Sequence, residues 1–188
     1  MSNRLAVIIV LVAGLLFVGS NSIYILNEME RGVLLRVGAV VNSDISTGIH
    51  LKLPFIEEVR AFDGRVLTVD APAERFLTLE KKALIVDSFA KFKIKKVEKY
   101  YTATSGDQRR AEELLKQRIN NGLRNEISKR TLHEVVSGQR DELMIDLVAS
   151  LNEVADQELG VEVVDVRVKR IDLPQEVSQS VYNRMNTE

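Results

Sequence analysis

The chain has 188 residues, with 26 Lys+Arg against 27 Asp+Glu, two His and no Cys. A hydrophobic fraction of 45% beside 28% charged residues is that of a globular protein, which excludes wholesale disorder. The net charge of −1 removes the electrostatic case for nucleic acid, and the missing Cys excludes disulfides, thiolate metal sites and a Cys nucleophile.

The charge is unevenly spread. Leu5–Leu26 holds no charged residue, every acidic residue lies at Glu28 or later, and only Arg4 among the basic ones precedes that point. As a helix those 22 residues would span about 33 Å, enough for about 30 Å of hydrocarbon. Fourteen of them are Leu, Ile, Val or Phe, worth about −4 to −8 kcal/mol of insertion free energy. A buried core helix is the competing reading, but such helices rarely run this long without a polar face. Leu5–Val18 also suits the apolar part of a signal peptide, with Val18-Gly19-Ser20 as a small-residue cleavage site. The apolar run resuming at Ile23–Leu26 favours an uncleaved anchor. Arg4 on one flank and Arg31 and Arg36 on the other leave orientation open.

Strand texture follows. Gly32–Val41 reads as one strand closed by Asn42-Ser43-Asp44, His50–Leu53 as another ending at Pro54, and Arg65–Val69 as a third closed by Asp70-Ala71-Pro72. In Leu84–Ile94, Leu84, Val86, Ser88, Ala90, Phe92 and Ile94 share one parity and Asp87, Lys91 and Lys93 the other, predicting a sheet with one wet face. From Val97 the period changes. Ala111, Leu115, Ile119, Leu123 and Ile127 predict an amphipathic helix, and Thr131 with Glu134 matches a capping box. Met144, Leu147, Val148, Leu151, Val154 and Ala155 mark a second helix ending at Gly160. Val161–Ile171 returns to strand, with Val164, Val166 and Val168 on one parity. Val177, Val181 and Met185 begin a last helix behind Pro174. A lone strand after two helices most simply rejoins the earlier sheet, giving an α+β body.

No catalytic, cofactor-binding or metal-binding residue is assigned. Hydrolase, zinc-protease, phosphate-loop and dinucleotide motifs are absent from the sequence. His50 and His133 have no ligand-type neighbour at a telling spacing and read as structural. Glu57-Glu58 and Asp141-Glu142 are adjacent pairs whose side chains diverge in either regular structure, so they read as solvated charge. Ser88 could form a dyad with a lysine, but its core-facing parity favours packing. Lys91, Lys93, Lys95 and Lys96 read as a solvated face that discourages edge pairing. Tyr100-Tyr101 reads as core capping rather than an interface anchor.

Taken together, the residues resemble the SPFH/band 7 (stomatin/prohibitin/flotillin) superfamily. The resemblance runs through Glu30-Arg31-Gly32-Val33, Arg36 and Gly38, then Gly48, His50, Lys52, Pro54 and Phe55. It continues at Arg75-Phe76, Thr78, Glu80-Lys81-Lys82, Ile85-Val86-Asp87-Ser88, Tyr100-Tyr101, Ala103-Thr104, Leu123-Arg124 and Glu126-Ile127. Its densest block is the run 159–174, followed by Glu176-Val177 and Val181-Tyr182-Asn183-Arg184-Met185. Thr47-Gly48 stands where the family often has Pro-Gly. Family members also continue into a long Ala/Glu/Arg-rich helix, so a truncated C-terminal helix is expected here.

The resemblance implies a single transmembrane anchor at residues 1–27, a β-rich subdomain at 28–98, an α/β subdomain at 99–172 and the start of a C-terminal helix at 173–188. It further implies a non-enzymatic scaffold without cofactors that pairs with an HflK-like subunit. The pair would form a ring or cage around a membrane AAA+ protease of the FtsH type. The implied location is the bacterial inner membrane, with a cytoplasmic N-terminus and a periplasmic body. The competing functions are a membrane-tethered protease, supported only by the presence of Ser, Lys and Asp, and a secreted binding domain freed by cleavage after Ser20.

Overall fold

A computed structural model of the chain describes residues 2–43, 45–136 and 140–173. Its mixed helices and strands form two compact units, Met1–Arg65 and Val66–Glu188.

In the first unit, helix α1 (Ser2–Asn21) carries Leu5, Val7, Ile8, Ile9, Leu11, Val12 and Leu16, all exposed. Over the described residues no helix is long and apolar enough to cross a membrane. The sequence of α1 is uncharged from Leu5 to Asn21. The helix is shorter than the 22-residue expectation. It stops at Asn21, and Ile23–Leu26 forms strand β1, antiparallel to β4 (Gly48–Leu51). Ser22 closes the last turn on the Gly19 carbonyl, and the β-branched and aromatic residues that follow suit a pleated ladder.

Strands β2 (Glu30–Arg36), β3 (Ala39–Asn42) and β5 (Glu57–Asp63) form an antiparallel sheet in the order β3-β2-β5. The single strand expected over Gly32–Val41 is therefore a hairpin. Val37 (φ +50°) and Gly38 (φ +83°) form a two-residue turn with both φ positive, the hairpin geometry that follows strand twist. Valine is disfavoured at positive φ, which is why the turn leaves little trace in the sequence.

The second unit is a three-stranded antiparallel sheet, β6 (Leu67–Leu77), β7 (Ala83–Ile94) and β8 (Val161–Asp172), in that order. Helices α2 (Val97–Thr104), α3 (Gln108–Ser128), α4 (Leu132–Val136) and α5 (Arg140–Glu158) lie between β7 and β8 in sequence. The late strand rejoins the earlier sheet as expected, pairing with β7 from Ile85↔Asp172 to Ile94↔Val161. Helix α3 packs on β6, α5 packs on β8, and the two helices meet each other. The four-residue stripe of α3 is buried throughout, as is the even parity of β7. The α5 stripe is Leu143, Leu147, Leu151 and Ala155, one position off the expected Met144, which is half-buried.

Two strands correct the expectation. β6 continues through Pro72 because the register shifts between Ala71 and Glu74, and an edge strand tolerates Pro at such a bulge. In β8 the register shifts opposite Lys91/Phe92, so Val161, Val163, Val166 and Val168 are buried while Val164 is exposed. On the outer edge of β8 the Asn152 amide stands in for a strand. Its Nδ2 donates to the Val163 carbonyl at 2.8 Å and its Oδ1 accepts the Val163 N–H at 2.7 Å.

The local signals hold. Glu134 Oε2 accepts the Thr131 N–H at 2.7 Å, and Thr131 Oγ1 accepts the Glu134 N–H at 3.4 Å, closing the capping box. Gly160 has φ +65°, and a Cβ there would lie 2.4 Å from the Lys96 carbonyl oxygen. The units divide at Arg65/Val66, and β8 holds β6 and β7 with the helices in the second. The helix expected from Val177, Val181 and Met185 lies outside the described residues.

Candidate functional site

The polar residues singled out in the sequence do not converge. His50, on β4, donates from Nε2 to the Ser46 carbonyl at 2.7 Å, because a carbonyl can only accept. Its ring stacks on Tyr24 with centroids 5.4 Å apart. His133 lies on α4, in the other unit. Ser88 is buried on β7 with Ala71 and Val168 as its cross-strand neighbours, while strand alternation puts Lys91 and Lys93 on the opposite face. Lys93 pairs with Glu162 at 3.4 Å and Lys96 pairs with Asp156. Tyr100 is buried in the core, which pushes its phenol pKa up. Glu142 is exposed on α5, and the Asp141 side chain lies outside the description. Among the described residues no group of three His, Cys, Asp or Glu is placed to hold a metal ion.

Glu57 and Glu58 do diverge, but Glu57 is not merely solvated. Its Oε1 accepts from Arg36 Nη2 at 2.7 Å and its Oε2 accepts the Leu53 N–H at 2.8 Å. The Leu53 N–H, then the Arg36 guanidinium, hold its carboxyl below the usual range. The carboxylate thereby pins the loop Leu53–Ile56 to the first unit.

What that loop carries is apolar. Leu53, Phe55 and Ile56 are all exposed, Phe55 at 86% and with φ +69°. The neighbouring hairpin tip places Val37 beside it at 88% exposure, its N–H donating to the Ile56 carbonyl at 3.2 Å. On the β1–β4 ribbon the pairs Ile23↔Leu51 and Ile25↔Ile49 are likewise exposed, between 54% and 76%. Tyr24 and His50 take the alternate parity. Burying a side chain of this size contributes about 1.5–3 kcal/mol, so a contiguous group left outside marks an interaction surface rather than a core. β1 starts two residues after α1, so the chain holds the ribbon within about 7 Å of the helix end. Sequence reasoning missed this surface by treating Ile23–Leu26 as helix. The available signal was the matched alternation Ile-Tyr-Ile and Ile-His-Leu.

The chain belongs to the SPFH domain / Band 7 family, whose pattern it matches over residues 24–188. Among individual proteins, it is 43% identical over 177 residues to Protein HflC of Haemophilus influenzae, covering 89% of this chain and 60% of that protein. It is 40% identical over 202 residues to Protein HflC of Buchnera aphidicola subsp. Schizaphis graminum, covering 97% and 66%. To the Modulator of FtsH protease HflC of Escherichia coli K12 it is 36% identical over 233 residues, covering 100% and 69%. The chain thus spans less than two thirds of the first two relatives' length.

Proposed function

We propose that the chain is the membrane-proximal part of a non-catalytic, HflC-like scaffold that modulates a membrane AAA+ protease of the FtsH type. The observation that carries this reading is the outward apolar surface formed by α1 and continued by the β1–β4 ribbon and the Leu53–Ile56 loop. From Leu5 to Asn21 the uncharged helix has 17 residues, about 25 Å, so it reaches across most of the hydrocarbon. The ribbon's apolar face then buries at the boundary between headgroups and acyl chains, where its side chains leave water. On this reading the anchor sits in the bacterial inner membrane with its N-terminus cytoplasmic and the remainder periplasmic. Beside an HflK-like partner, many such bodies confined to one plane gain effective concentration and close a ring or cage around the protease. Regulation then comes from controlling which membrane substrates reach the protease. The test is co-purification from native membranes with an HflK-like subunit and an FtsH-type protease, followed by particle imaging. Closed rings are expected. A chain that stays monomeric beside its partner overturns the assembly, and turnover of a substrate by the isolated chain overturns the non-catalytic role.

A further inference from the structure

At the end of α1 the first unit holds a cleft of about 210 Å³ lined by Asn21, Lys52, Pro54, Phe55 and Glu57. Its position is set by the backbone, because the Lys52 N–H donates to the Ser22 carbonyl at 2.7 Å and ties the end of β4 to the corner where α1 stops. Its charge is set by pairing. Glu57 is taken up by Arg36 and the Leu53 N–H, whereas Lys52, half-buried, forms no ion pair among the described residues. Among the described residues lining the cleft, Lys52 is thus the one cation, beside an already neutralised carboxylate. Its rim is Pro54 and the outward ring of Phe55. The volume is below the roughly 300–1,000 Å³ of sites that enclose a whole drug-sized ligand, and it suits a small anionic group whose remainder lies outside.

We propose that Lys52 and this cleft bind the phosphate of one anionic phospholipid headgroup, with Phe55 against the adjoining acyl region. The proposal rests on the reading of α1 as a membrane anchor, which places the helix end at headgroup depth. A lysine beside an anionic leaflet contributes on the order of a fivefold preference per site.

The test reconstitutes the full chain in nanodiscs of equal phosphatidylglycerol and phosphatidylcholine and counts retained lipids by native mass spectrometry. One phosphatidylglycerol is expected to be retained several-fold over phosphatidylcholine. The preference should fall to near parity in Lys52→Gln, survive in Lys52→Arg, and be unchanged in Lys91→Gln, on the other unit. Loss of the preference on adding millimolar inorganic phosphate would assign the site to free phosphate and overturn the lipid assignment. An equal preference in Lys52→Gln would overturn the site while leaving the anchor standing. Failure of the chain to co-elute with the discs would overturn the anchor and the headgroup site with it.

Discussion

At Gly160 the backbone between α5 and β8 has φ +65°, and its carbonyl accepts the N–H groups of Lys95 and Lys96. Gly160→Ala both strains that conformation and sets a methyl carbon 2.4 Å from the Lys96 carbonyl oxygen, so the helix end must move. The expected loss is roughly 2–3 kcal/mol, read from denaturant midpoints in detergent. Asn152→Ala strips the edge of β8 of its surrogate partner and leaves the Val163 N–H and C=O unpaired, at about 1–3 kcal/mol. Asn152→Asp, which keeps the acceptor but sets a carboxylate oxygen against the Val163 carbonyl, should cost at least as much. Asp63 offers a pH test. Hydrogen bonds from the Arg65 side chain and N–H hold its carboxyl at about 2 against an ordinary 3.8. The folded chain binds that proton less tightly than the unfolded chain, so the contribution is complete at neutral pH. It is lost as pH falls through the interval between those values. A carbon-13 titration of the Asp63 carboxyl should show the low midpoint, and Arg65→Gln should raise it.

Among the elements, the long periodic ones were legible and the short ones were not. The stripe of α3 and the alternation of β7 repeat over many residues, and tertiary packing agrees with the local preference, so the residue pattern alone reports each. β1 was hidden because an apolar run looks alike as helix or strand, and only its pairing with β4 decides. β5 left no pattern because Glu57 and Phe62 are half-buried while Glu58 and Ala61 are exposed, a mixture with no clear period. The bulge at Val164 shifted the parity of β8 partway along. The apolar surface left only the short alternations Ile-Tyr-Ile and Ile-His-Leu as a trace, since its face exists only once those two separate segments are paired. For α1 the expectation is direct. A charged residue at a helix centre costs about 2.5–3.5 kcal/mol of insertion free energy. Leu11→Lys should therefore shift much of the chain from the carbonate-resistant membrane pellet to the supernatant, whereas Leu11→Ile should leave it in the pellet.

Over the whole molecule, the order of assembly follows from β8. The partner strand of Ala83–Ile94 is Val161–Asp172, and the four helices intervene. One edge of β7 must therefore stay open while the helices are being synthesised, and the loop that finally closes is long. A ribosome-stalled chain whose last exposed residue is 160 should be cut by protease within β6 and β7, and one extended past 172 should resist. Should both lengths resist equally, the helices alone would suffice to close the unit. The newborn sheet then waits with a bare flank, and a delay in translation at that stage would leave it open to mispairing with any exposed strand it meets.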